Sequence, residues 1–175
     1  REIILRHGAA DTWGVQLLHK HFEIGLNEML VSFGTVSVPV NSQKMDDNTT
    51  SHISGSSWMW TCEGPTPYEF AFAQDEAKIS PELLSEVFTC LQASDLSQLL
   101  GLLYLPHTAG GLEYTEGHAN ITLPYGVTYM GGPDDYDEVL WTFSPDPVVM
   151  RRCKKHCSYV KGGGHKATHY KSGKK

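Results

Sequence analysis

The chain has 175 residues and a formal net charge of −6, a length at which one domain can bury a continuous core without disulfide staples. Its most apolar run, Leu96 to Leu105, is short and interrupted by polar residues, which excludes a helical membrane span of about 20 apolar residues; four cysteines are too few for a disulfide scaffold. The mean charge conceals two opposed regions, because residues 1–150 hold all 20 acidic residues and five basic ones, a formal −15, whereas residues 151–175 hold nine basic residues and no acid, a formal +9. The expected organisation is an acidic domain, 1–150, followed by a basic Cys/His-rich tail, 151–175. No apolar signal-like core follows Arg1, so an intracellular location, cytoplasmic or nuclear, is expected.

The side chains alternate from Val15 to Phe22, and a second run from Met29 to Val40 is rich in Val, Phe and Thr. Two paired strands joined through Gly25-Leu26-Asn27 are predicted. Asn41 to Ser57 is polar and reads as an exposed loop. Strands are predicted over Trp58 to Cys62 and Tyr68 to Ala73, separated by the Gly64-Pro65-Thr66-Pro67 turn. Ser80-Pro81-Glu82 is a helix start, with a capping hydroxyl, Pro in the first turn and an acid at the positive dipole end. Leu83, Leu84, Val87, Phe88 and Leu91 then form an apolar stripe, and Ser94-Asp95 can cap a second helix carrying Leu96, Leu99, Leu100 and Leu103. Three more strands are predicted at Leu112 to Tyr114, Ala119 to Leu123 and Val139 to Phe143. The expected class is α+β: a mainly antiparallel sheet with one or two packed helices over about 81–104 and a metal-stapled C-terminal tail. Cys62 and Cys90 are expected to be reduced, buried thiols.

The most specific chemical signal is Cys153-x3-Cys157-x7-His165-x3-His169, with Gly162-Gly163-Gly164 between the two pairs. Zinc takes four soft or borderline ligands in a tetrahedron, and two close pairs joined by a turn supply them. One structural zinc ion on Cys153, Cys157, His165 and His169 is expected, with His156 able to replace one ligand. The alternatives are a Cys153–Cys157 disulfide or free thiols on a basic tail. Displayed by such a staple, the basic residues of 151–175 could contact RNA or another polyanion, or dock on the chain's own acidic domain.

A second constellation is His19-x-His21, since residues two apart on a strand project from one face. Glu23 continues that row. The pair resembles the metal-binding strand of cupin barrels, although Glu23 comes too early for that pattern and Glu28 too late. Gly117-His118 sits just before a predicted strand, where His118 could line a cleft. These four, His19, His21, Glu23 and His118, are the candidate catalytic residues; hydrogen-bonded structural histidines are the alternative. Arg6-His7-Gly8 resembles the opening of the histidine phosphatases, but no further Arg precedes Arg151 to stabilise a phosphoryl group.

Leu17-Leu18-His19-Lys20-His21-Phe22, Glu113-Tyr114-Thr115-Glu116-Gly117-His118-Ala119-Asn120-Ile121, Trp141-Thr142-Phe143 and the Cys153…Cys157 end together resemble a family of uncharacterised fungal proteins. The resemblance implies a fungal, intracellular origin and singles out His19, His21, Glu116, His118 and Asn120, without implying a reaction. The expected function is a zinc-containing binding or regulatory domain, with an enzyme on the His19/His21 face and nucleic-acid or ribosome binding through the tail as alternatives.

Overall fold

A computed structural model describes residues 1–73, 79–125, 136–146, 148–149 and 151–158. Among these residues are three α-helices, α1 (Glu2–Arg6), α2 (Asp47–Thr50) and α3 (Pro81–Ala93). Ten strands accompany them: β1 (Trp13–Leu17), β2 (Glu28–Phe33), β3 (Val36–Asn41), β4 (Ile53–Thr61), β5 (Gly64–Phe72), β6 (Leu100–Tyr104), β7 (Gly111–Glu116), β8 (Ala119–Leu123), β9 (Tyr136–Phe143) and β10 (Arg151–Ser158). The strands close into one barrel in the order β1-β6-β4-β5-β2-β3-β8-β7-β10-β9, and β9 returns to β1 through Val15↔Trp141 and Gln16↔Leu140. All neighbours are antiparallel except β2 with β5 and β10 with β7. The α+β expectation is thereby overturned. Alternation along one strand reports which side is buried, but it carries no information on closure of a sheet by partners far apart in sequence.

The helix start at Ser80 forms as the sequence implies: the Ser80 hydroxyl accepts from Leu83 N, and α3 turns Leu83, Val87, Phe88 and Leu91 inward. The predicted second helix does not form. Asp95 takes a positive φ of 55° just after α3, and residues 100–104 become β6. Leu102 of β6 faces the helices while Leu103 packs with Leu105 and Leu140, so this strand is apolar on both faces and loses the period-2 signature. The predicted pairing of the first two strands also fails, because β1 pairs with β6 and β9, and the 29–40 run is itself the β2–β3 hairpin. The 41–57 segment is only partly loop, since it holds α2 and the start of β4. The β4–β5 turn lies at Cys62-Glu63, ahead of the predicted position. Cys62 in that turn and Cys90 on the outer side of α3 are free but exposed, in contrast to their expected burial.

The main apolar core lies outside the barrel wall. Ile4 of α1, the inward stripe of α3, Trp13, Trp58 and Leu102 form one cluster, and Trp13 meets Trp58 edge to face with ring centres 5.1 Å apart. The barrel interior is instead largely polar. Ser32, Ser37, Ser56, Glu69, Glu113, Asn120, Thr122 and Lys155, drawn from β2, β3, β4, β5, β7, β8 and β10, surround a central cavity of about 20 Å³, room for about one water molecule. No helix among the described residues is long and apolar enough to cross a membrane.

Candidate metal centre

The strand predicted through Phe22 ends early, at Leu17. Leu18 N still bonds Leu99 O, but residues 18–27 then leave the sheet as a strap without regular structure. Tyr68 holds the strap by donating from its hydroxyl to His19 O at 3.0 Å. His19 and His21 nevertheless face one another, with ring centres 4.5 Å apart. Their shared face comes from the path of the strap and not from the strand alternation on which the sequence reading relied.

Both rings meet Glu113 of β7, whose Oε2 lies 3.6 Å from His19 Nε2 and 3.3 Å from His21 Nε2. Cys157 is brought alongside by β10, which runs parallel to β7 with Cys157 in register with Glu113. One ligand atom from each of His19, His21, Glu113 and Cys157 lies within 4.8 Å of every other. Ligand atoms about 2.0–2.1 Å from a tetrahedral zinc ion stand about 3.3–3.4 Å from one another; the His21–Glu113 distance of 3.3 Å matches such an edge, and the His19–Glu113 distance of 3.6 Å is longer than one.

The outer contacts orient these groups. His19 Nδ1 lies 2.8 Å from Leu17 O; a carbonyl only accepts, so Nδ1 carries the proton and Nε2 faces Glu113. His21 Nδ1 contacts Thr115 Oγ1 at 3.1 Å, and Thr115 stands two residues beyond Glu113 on the same inward face of β7. Lys155 donates to the other oxygen of Glu113, Oε1, at 2.9 Å. Burial opposes charge on the Glu113 carboxyl, but Lys155, His21 and His19 overcome it and hold the group well below the usual carboxylate range. Burial likewise opposes charge on His19, yet hydrogen bonds to Cys157 and Glu113 raise it well above the usual imidazole value. Burial pushes the Cys157 thiol up. Without metal the group is thus stabilised as an ion-paired cluster; with metal, His19 Nε2 and Cys157 Sγ must give up protons.

The remaining sequence candidates lie elsewhere. Glu23 is exposed and pairs with Lys20 at 3.5 Å, and His118 is exposed in the β7–β8 turn, its ring 5.6 Å from that of Phe22. Cys153 and Cys157 fall into separate groups, Cys153 standing with Glu138 and His156. A β-bulge around Lys154 shifts the register between Cys153 and Lys155, so the alternation that carries Lys155 and Cys157 inward does not extend back to Cys153. No disulfide joins any of the four cysteines. His165 and His169 lie outside the described residues. The N-terminal histidine is not at a strand end: Arg6 and His7 close α1 and both pair with Glu86. Sequence reasoning passed over Glu113, Lys155 and Glu69. Their signal was present as polar residues at alternate strand positions, which an open sheet would turn to solvent and this barrel turns inward.

Comparison with family models, with curated proteins and with solved structures gives no match to the chain.

Proposed function

We propose that this protein is a zinc-binding barrel that holds one ion on His19, His21, Glu113 and Cys157. The observation that carries the reading is the convergence of these four ligands, from the strap, β7 and β10, at mutual distances suited to one small cation. Two imidazoles, one carboxylate and one thiolate are a borderline set that suits zinc. Four protein ligands close the site, so the ion acts as a tie: it fastens the strap to the barrel wall and balances the negative charge of Glu113 and the Cys157 thiolate. The carboxylate–lysine contact and the two Nδ1 contacts supply the outer shell that such centres use to orient ligands.

The experiment is elemental analysis of the full chain, prepared without chelator, against two variants. One zinc per chain is expected, lost in His21→Ala/Cys157→Ser and kept in Cys153→Ser/His156→Ala. Retention in the first and loss in the second would assign the metal to the outer Glu138, Cys153 and His156 group. Absence of metal from the unaltered chain would end the proposal.

A further inference from the structure

A second group of ligands gathers on the outer side of the barrel wall, where Glu138 of β9 meets Cys153 and His156 of β10, one ligand atom of each within 4.8 Å of the others. Regular strands would not bring them together. Cys153 and His156 are three residues apart, a spacing that turns side chains to opposite faces of a strand. Two register shifts, between Cys153 and Lys155 and between Lys155 and His156, break that alternation. The first makes Lys154 an extra residue in β10 and the second makes Val139 an extra residue in β9, so that His156 stands opposite Glu138 and Cys153 opposite Trp141. These side chains then share one side: Trp141 Nε1 donates to Glu138 Oε2 at 2.8 Å, and Cys153 Sγ lies 3.8 Å from His156 Nδ1. Lys155 and Cys157 of the same strand still reach Glu113 inside. Bulges disrupt the ladder and are placed where a side chain must be re-aimed.

We propose that Glu138, Cys153 and His156 form a second metal site, which takes an exchangeable divalent transition-metal ion and leaves one coordination position open. A thiolate, an imidazole and a carboxylate suit zinc or cobalt(II). Three protein ligands leave a tetrahedral ion one position for water or an outside ligand. Solvent can reach it, since Glu138 is exposed and Cys153 and His156 are half-buried. The sulfur–nitrogen edge of a tetrahedral site is about 3.5–3.6 Å, so the 3.8 Å between Cys153 and His156 has to close slightly. Glu138 is already oriented: Trp141 at 2.8 Å and Arg151 at 3.2 Å both donate to Oε2, and the carboxylate has a second oxygen for the ion. Without metal the Cys153 thiol donates to Lys155 O at 3.0 Å, and the Tyr125 hydroxyl meets His156 Nδ1 at 3.2 Å. An ion replaces both contacts and releases the thiol proton to solvent. Three accessible ligands hold it less tightly than four buried ones, so this site fills when metal is supplied. It shares no ligand with the barrel centre and stands independently of it.

The test is titration of the full chain, as purified, with cobalt(II) chloride, read by the thiolate-to-cobalt charge-transfer band. The band is expected to saturate, with the zinc content of the protein unchanged. Cys153→Ser should abolish it. Glu138→Gln and His156→Ala should each weaken cobalt binding by at least the roughly tenfold that loss of an outer-shell partner costs a metal site. Sodium azide should shift the cobalt spectrum by entering the open position. Cys157→Ser separates the two centres, because it removes the barrel thiolate and leaves this one: the band should persist there even if the unaltered chain carries no zinc. A band that survives Cys153→Ser, a band lost in folded Cys157→Ser, or a spectrum that azide leaves unmoved would overturn the outer site. The barrel reading fails separately, on the zinc content of the unaltered chain.

Discussion

Glu113 is the residue on which the interior charges converge, with Lys155 on one carboxylate oxygen and the two histidines on the other. Removing one member of a buried ion pair leaves the other charge uncompensated, a loss of about 3–5 kcal/mol. Glu113→Gln should therefore destabilise the metal-free chain by about that amount in urea unfolding, and adding Lys155→Met should restore most of it. A double variant no more stable than the single one would show that the pair is not coupled. The pH dependence follows from the same contacts. Glu113 has a depressed folded-state value, so its contribution is complete above the unfolded value of about 4.3 and is lost as pH falls through the folded one. His19 is raised, so its contribution is complete below about 6.5 and is lost as pH rises through its folded value. The urea midpoint of metal-free protein should be highest between these limits and decline on both sides. Glu113→Gln should flatten both limbs, since His19 then loses its carboxylate; a midpoint rising steadily to alkaline pH would contradict the assignment.

Among the elements, β6 and β10 decide whether the barrel closes. At Gly101 of β6 an added Cβ would stand 2.4 Å from the backbone oxygen of Trp58 and 2.8 Å from a Leu18 methyl, and the backbone oxygen cannot swing aside. Gly101→Ala should cost about 1–3 kcal/mol by overpacking, whereas a Cβ at Gly55 would meet only side-chain atoms, of Trp58 and Pro67, at 3.0 Å or more. The basic segment that composition sets apart at residue 151 begins with β10, which pairs with both β7 and β9. A chain ended at residue 150 should lose the cooperative thermal transition because the barrel is left open; one ended at Ser158 should keep both the transition and the zinc. If the chain ended at Ser158 unfolds as well, the barrel needs residues beyond β10. The helix at Ser80 was readable because capping, proline and stripe agree locally, and the strands at 112–114, 119–123 and 139–143 were readable by their apolar alternation. β6 was not, because a strand apolar on both faces has the same pattern as a buried helix over five residues.

At the scale of the whole molecule the usual arrangement is inverted, with the large apolar core between the barrel wall and helices α1 and α3 and the barrel interior given to ionisable groups. Burying Glu69, Glu113, Lys155, His19 and His21 costs desolvation free energy that an aliphatic filling would avoid, and a function at that place is the natural reason to retain them. This inversion is why the site was only half legible. His19 and His21 stand out by spacing, but Glu113 lies in a strand whose polar side a sequence reader assigns to water, and only the closed topology reverses that side. Cys157 was visible as a ligand type, but the parallel register with β7 that sets it beside Glu113 depends on a pairing between segments more than forty residues apart.

The zinc K-edge X-ray absorption fine structure of the full chain reads the ligand shell directly. A four-coordinate ion is expected, with one sulfur at about 2.3 Å and three nitrogen or oxygen ligands at about 2.0–2.1 Å, the sulfur lost in Cys157→Ser and retained in Cys153→Ser. Two sulfurs in the shell, or a shell unchanged by Cys157→Ser, would move the metal out of the barrel and contradict that expectation.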